Sequence, residues 1–310
     1  MNEFELIAQL TRELPTNAAV HTGPGDDCAV LDLDVPGQQL LFKTDAVVEG
    51  IHFEKTTAPE RIGRKALARS LSDIAAMAGT PVAAVITLGL PENFQPDSII
   101  QIYAGLNQLA RQYGVAIVGG ETTTNPGRLL ISVALLGRVA TGKAVLRTGA
   151  QAGDALFVTG ELGGSRAGKH LDFTPRLTEA RWLADHFPLH AMMDLSDGLA
   201  GDLPHLLRAS RVGAELLKSA VPISRAARDR ARRGDAARSA FAAALTDGED
   251  FELLFTLPSH EAVPLLDAWK TRFPELKLSC IGKIVPGAGL RLRDATGVHP
   301  ITAHGYVHFS

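Results

Sequence analysis

Cysteine is nearly absent from this chain: Cys28 and Cys280 are the two in 310 residues, far apart and outside any C-x-x-C spacing. That scarcity excludes a disulfide framework and a zinc ribbon, and it fits a protein of the reducing cytoplasm. Long apolar runs are missing as well. No stretch of about 18 uncharged apolar residues occurs, and the start, Met1-Asn2-Glu3-Phe4-Glu5, has neither the basic segment nor the apolar core of a secretory signal. Neither export nor a membrane span is expected. A large charge of one sign is also lacking: the formal charge is −3, with 45% apolar and 21% charged residues. These values exclude a disordered tail and a strongly basic nucleic-acid binder.

What is present is length and alternation. At 310 residues the chain exceeds the size at which one hydrophobic core keeps growing, so two domains are expected. Apolar spacing predicts an amphipathic helix over 4–14, strands over 28–33 and 39–44, and an Ala/Leu-rich helix over 61–78 that stops at Gly79 and Pro81. A buried strand over 82–88, a helix over 97–113 and strands over 115–118 and 129–136 complete a first half of mixed strands and helices. The Gly149 to Gly153 segment separates it from a second half, giving domains of 1–148 and 149–310. The second half starts with a strand over 155–159 and the Gly-rich turn 160–164. Helices over 199–210 and 261–272 then alternate with strands over 251–256 and 279–284. The Arg/Ala-rich stretch 225–244 reads as an exposed helix pair or a loop, its arginines a solvated face.

The acids are unevenly spread. Gly25-Asp26-Asp27, Thr44-Asp45, Leu71-Ser72-Asp73 and Asp194-Leu195-Ser196-Asp197-Gly198 set carboxylates among glycines, hydroxyls and apolar runs. Any two brought within ~4 Å repel by roughly 4 kcal/mol at an effective dielectric near 20. Basic residues are scarce there, Lys43 being the exception, so the expected counter-charge is a hard divalent cation with oxygen ligands, and Mg2+ usually brings phosphate with it.

Each motif also has a plainer explanation. Asp26-Asp27 could form an Asx turn, Thr44-Asp45 a polar strand end, and Gly119-Gly120-Glu121-Thr122 a tight turn closing a strand. Arg69 could satisfy Asp73 across one helical turn, the acids at 194–197 could cap the helix after them, and His52, between apolar neighbours, could be structural. With Gly248-Glu249-Asp250 added, independent plain explanations would have to coincide at every one of these acidic motifs.

In order along the chain, these motifs and Val48-Glu49-Gly50-Ile51-His52-Phe53, Arg147-Thr148-Gly149-Ala150 and Gly305-Tyr306-Val307-His308-Phe309 resemble the thiamine-monophosphate kinase family. That family is part of the ATP-binding superfamily typified by aminoimidazole ribonucleotide synthetase. The resemblance implies a two-domain α+β and α/β fold: an N-terminal mixed-sheet domain that binds ATP and forms a homodimer by pairing sheets, and a C-terminal α/β domain covering nucleotide and substrate. It implies phosphorylation of thiamine monophosphate by ATP without a side-chain nucleophile. By position, Asp27, Thr44, Asp45, Asp73, Glu121, Asp194 and Asp197 would hold several Mg2+ ions. Gly120, Arg147 and Ser196 would contact ATP, while His52, Glu249 and Tyr306 would hold the substrate. Three departures, Lys43 for Ser or Thr, Glu121 for Asp and Ser70 for Asn, imply an altered metal count. They leave open another enzyme of the superfamily or a catalytically silent nucleotide-binding paralogue.

Overall fold

The computed structural model describes residues 3–234, 238–301 and 305–306, the Phe4 side chain apart. Helix α1 (Glu3–Leu10) precedes six strands: β1 (Val20–Thr22), β2 (Ala29–Leu31), β3 (Gln38–Val48), β4 (Thr80–Leu90), β5 (Ala116–Thr124) and β6 (Leu130–Ala140). They form one sheet in the order β1-β2-β3-β6-β4-β5. Neighbours are antiparallel except β4 and β5, which are parallel. Such a parallel pair needs a crossover, supplied by helix α3 (Pro96–Tyr113).

Helix α2 (Pro59–Ala76) carries Leu67, Leu71 and Ile74 at helical spacing, all fully buried. It packs closely on α3 because Gly63 and Gly105 leave no side chain between them: a Cβ on Gly63 would lie 1.8 Å from the Ile102 carbonyl oxygen, and one on Gly105 1.9 Å from that of Glu60. These helices cover one face of the sheet. The other stays open, with Phe42, Val85 and Leu136 at 46%, 42% and 36% exposure.

Two strands run further than their sequence suggests. Thr44-Asp45 does not end β3: Ala46-Val47-Val48 continue the pairing with β6 as far as Val48 opposite Leu130. Gly119-Gly120-Glu121-Thr122 does not close β5, which extends to Thr124 opposite Leu90. In both places β-branched residues beyond the motif keep the ladder going. Thr44 and Asp45 therefore point to opposite faces.

The second sheet has seven strands: β7 (Asp154–Thr159), β8 (Ala191–Asp194), β9 (Gly213–Leu217), β10 (Leu253–Pro258), β11 (Leu278–Val285), β12 (Gly289–Asp294) and β13 (Gly297–Pro300). Their order is β13-β12-β9-β11-β7-β10-β8, antiparallel save for β12 beside β9. Around it lie α4 (Lys169–Asp172), α5 (Leu177–His186), α6 (Leu199–Ser210), α7 (Arg225–Arg233), α8 (Ala240–Thr246) and α9 (Ala262–Arg272). The Arg/Ala-rich stretch is the helix pair α7 and α8, with Ser224 and Ser239 as N-caps; residues 235–237 lie outside the described residues.

Helix α2 lies between the two halves, touching β3 and β6 on one side and α4, α5 and β8 on the other. One hydrophobic cluster runs from Val30 and Leu71 through to Phe157, Phe255 and Trp269. The polar end of α2 is thereby buried against the end of β8.

Candidate active site

Asp27 stands just before β2, Asp73 in the last turns of α2, and Asp194 at the end of β8. All three are buried, and each offers a carboxylate oxygen within 4.8 Å of the others. Burial raises the Asp194 pKa to about 7, with repulsion from Asp27 adding to it, against the Ser72 hydroxyl that donates to its Oδ2 and the charges of Lys43 and Arg147. Burial likewise pushes Asp73 well up, opposed by Lys43, whose Nζ is 3.2 Å away. Asp27 accepts from Arg147 Nη2 through Oδ1, while its buried Oδ2 has no hydrogen-bond partner among the described residues. Asp26, raised by burial to about 6, accepts the Arg147 backbone N–H at 3.1 Å. An orphaned buried carboxylate oxygen and two neighbours held above their normal range mark a site short of positive charge. Three hard oxygen donors fit Mg2+.

Asp45 faces α2 from β3. Lys43 Nζ is 4.0 Å and Arg69 Nη2 3.7 Å from its carboxylate, and Ser70 Oγ donates at 3.5 Å. Burial works against ionisation, but these two cations outweigh it and hold the Asp45 pKa below its ordinary value. Arg69 thus serves Asp45, not Asp73 as spacing along the helix alone suggested. Lys43 reaches both acids, whose carboxylates also share a hydrogen bond.

The 194–198 loop is not an N-cap. Gly198 takes that position at φ 94 with no side-chain cap. Instead the buried Asp202, inside α6, accepts the Asp197 N–H at 2.9 Å, and the Asp197 carbonyl accepts the Tyr306 N–H at 2.9 Å. The Glu249 N–H donates to the Ser196 carbonyl at 2.6 Å and the Phe251 N–H to that of Leu195 at 2.8 Å. Glu249 and Phe251 have φ of 55° and 50°, a left-handed backbone that costs non-glycine residues of order 1–3 kcal/mol each. Between them Asp250 accepts the Gly163 N–H with both oxygens at 3.0 Å.

His52, Ser196, Asp197, Glu249 and Tyr306 line one pocket, walled further by Arg69 and Arg166. The Val48 N–H donates to His52 Nδ1 at 3.1 Å. Burial alone would raise Glu249, but His170 and Lys65 bring its pKa down to about 2. Thr44 and Glu121 stand elsewhere. The register places both on the open face, opposite to Asp45, with β6 and β4 between their strands. Glu121 is exposed and accepts its neighbour's N–H. Gly120 has a packing reason of its own, since a Cβ there would lie 1.9 Å from the Ile86 carbonyl oxygen. Residues 307–309 of the terminal motif lie outside the described residues.

Sequence reasoning missed Lys65, Arg166, His170 and Asp202. Asp202 carried a faint signal, as an acid among leucines on the apolar side of a helix. The others had none: a lysine, arginine or histidine in a helix reads as solvated.

The chain matches the family described as AIR synthase related protein, N-terminal domain, over residues 25–139, and its C-terminal counterpart over 125–295. It is 40% identical to the thiamine-monophosphate kinase of Rhodopirellula baltica over 96% of this chain and 93% of that one. It is 34% identical to that of Haemophilus influenzae over 100% and 98%. A solved structure described as AaThiL complexed with AMPPCP and TMP superposes with a TM-score of 0.82 at 30% identity, covering 99% and 97% of the two chains. The hydrogenase maturation protein HypE of E. coli, at 22% identity and a TM-score of 0.72 over 96% of each chain, shares the fold.

Proposed function

We propose that this chain, which belongs to the thiamine-monophosphate kinases of the AIR synthase related family, transfers the γ-phosphoryl group of ATP to thiamine monophosphate, giving thiamine diphosphate and ADP. The observation that carries this reading is the buried Asp27, Asp73 and Asp194 cluster, drawn from both halves of the chain, beside a pocket lined by His52, Glu249 and Tyr306. The AaThiL structure, solved with AMPPCP and TMP, supports it.

Asp27, Asp73 and Asp194 would hold Mg2+, with Asp45 and Asp197 nearby. Bound there, the metal would neutralise charge on the polyphosphate. Arg147, fixed by Asp26 and Asp27, and the Ser196 hydroxyl would take nucleotide phosphate oxygens, with Gly120 in the strand beyond. His52 accepts at Nδ1, which puts its proton on Nε2. It acts as an orienting donor, not a base. The attacking oxygen belongs to a phosphate already ionised at neutral pH, so no strong base is needed. Glu249 and Tyr306 would hold the thiamine portion.

The open sheet face supports a homodimer: a second copy covering Phe42, Val85 and Leu136 would bring Thr44 and Glu121, on that same face, into the interface. A division into 1–148 and 149–310 is supported by the gap between β6 and β7. The cytoplasm is the proposed setting, in keeping with the cysteine usage.

The test is ADP release by purified protein with ATP, Mg2+ and thiamine monophosphate. Turnover that depends on thiamine monophosphate is expected, and Asp45→Asn should lower it by orders of magnitude while the fold survives. No substrate-dependent release above a blank would overturn the activity; near-normal turnover by the variant would overturn a role for Asp45 beside the metal.

A further inference from the structure

Among the described residues, Lys65 is the one lysine with no exposed surface. Its ammonium, projecting from α2, meets an acceptor from each of three other segments: the His52 carbonyl at 2.6 Å, His170 Nδ1 at 2.9 Å and Glu249 Oε1 at 2.5 Å. Three N–H groups meet three acceptors, so every donor is used. Burial lowers its pKa to about 8, against the pull of Glu249, so the charged form prevails at neutral pH. The other charged groups around it are Arg69 on the same helix and Arg166 from the second half.

Stability does not require this arrangement. A buried ion pair replaced by apolar side chains of similar volume is often neutral or stabilising. What the pair provides is orientation. Glu249 sits on a left-handed backbone in a loop of the second half, and its carboxylate reaches a pocket it shares with His52 of the first half. Lys65 bonds to both residues at once. We propose that Lys65 is a positioning residue for the substrate: it holds the Glu249 carboxylate and the His52 segment at a fixed separation, so that the thiamine-binding pocket is formed across the two halves before substrate arrives. This rests on the reading of Glu249 as a substrate-holding group.

The test is steady-state kinetics on the wild type, Lys65→Met, Glu249→Gln and the double variant, with each substrate varied in turn. Lys65→Met is expected to raise KM for thiamine monophosphate about tenfold or more, the scale of losing one partner of a buried charge pair. KM for ATP should stay within about twofold, since the interaction acts on one substrate only. The double variant should cost less than the sum of the two single variants, because part of what Lys65 does acts through Glu249. An unchanged KM for thiamine monophosphate, or fully additive losses, would overturn the proposal. Should Lys65→Met fail to fold by circular dichroism, Lys65→Gln keeps a donor without the charge. It should still raise that KM about threefold or more, and no change would be decisive against the role. A wild type without substrate-dependent turnover refutes the kinase reading itself; an active wild type with the wrong variant pattern refutes only the role of Lys65.

Discussion

Asp194→Asn should make the metal-free protein more stable while destroying its activity. Two unit charges 4.8 Å apart, the limiting separation in the cluster, repel by about 3.5 kcal/mol at an effective dielectric of 20. The Asp194 pKa, raised from 3.8 to about 7, corresponds to about 4 kcal/mol at 1.36 kcal/mol per unit. The first figure is the repulsion of one pair and the second the whole shift, in which burial leads; both put the cost at a few kcal/mol, and Asp194 is 5% exposed, so solvent screening takes little away. Asparagine removes the charge but keeps an oxygen to accept from Ser72. In the unfolded chain Asp194 ionises above its ordinary value; in the folded chain it ionises only near pH 7. Its cost is therefore fully present above pH 7, shrinks as pH falls from 7 to 4, and is gone below.

Urea unfolding in EDTA should show the variant more stable by about 2–4 kcal/mol at pH 8, with the gain less than half as large at pH 5. Mg2+ at a hundred times its Kd should stabilise the wild type by about 2.7 kcal/mol and the variant much less. A variant no more stable than wild type at pH 8, or a gain equal at both pH values, would refute the reasoning.

Gly63→Ala should destabilise by about 1–3 kcal/mol or more in urea unfolding, because the new methyl overlaps the Ile102 carbonyl and α2 and α3 must part. The helix propensity gained, about 1 kcal/mol, does not offset that; a more stable variant would contradict the packing argument. Phe42→Glu, on the open sheet face, should convert a dimer to a monomer by analytical ultracentrifugation, and an unchanged mass would show that this face is not the interface. Lys43→Ser removes the ammonium 3.2 Å from Asp73 and should add one Mg2+ per chain in calorimetric titration with nucleotide present. Equal stoichiometry would show that Lys43 does not stand in for a metal.

Helices α2, α3 and α6 were legible in the sequence to within a few residues, because each has an apolar stripe at helical spacing and a Gly or Pro boundary. Strand ends were less so. The run through Thr44-Asp45 looked finished because three polar residues, Lys43-Thr44-Asp45, follow three apolar ones, but a ladder stops where its partner strand stops, and that is not local information. Strands β9, β12 and β13 escaped notice for the same reason: short, and the last two largely exposed, they exist by pairing. Asp27, Asp73 and Asp194 stood out as acids among apolar residues, whereas Lys65 did not, since nothing in a helical Lys-Ala-Leu-Ala shows that the lysine faces inward.

The amino-acid sequence alone determined the two-domain class, the main helices and a set of carboxylates too costly to bury without cations, because helical periodicity and the energetics of isolated acids are local properties. Which carboxylates meet was decided by the tertiary structure. Packing α2 between two sheets joins Asp27, Asp73 and Asp194, turns Arg69 toward Asp45 and leaves Thr44 and Glu121 on the opposite face. Those outcomes depend on strand register and on contacts between segments far apart in the chain.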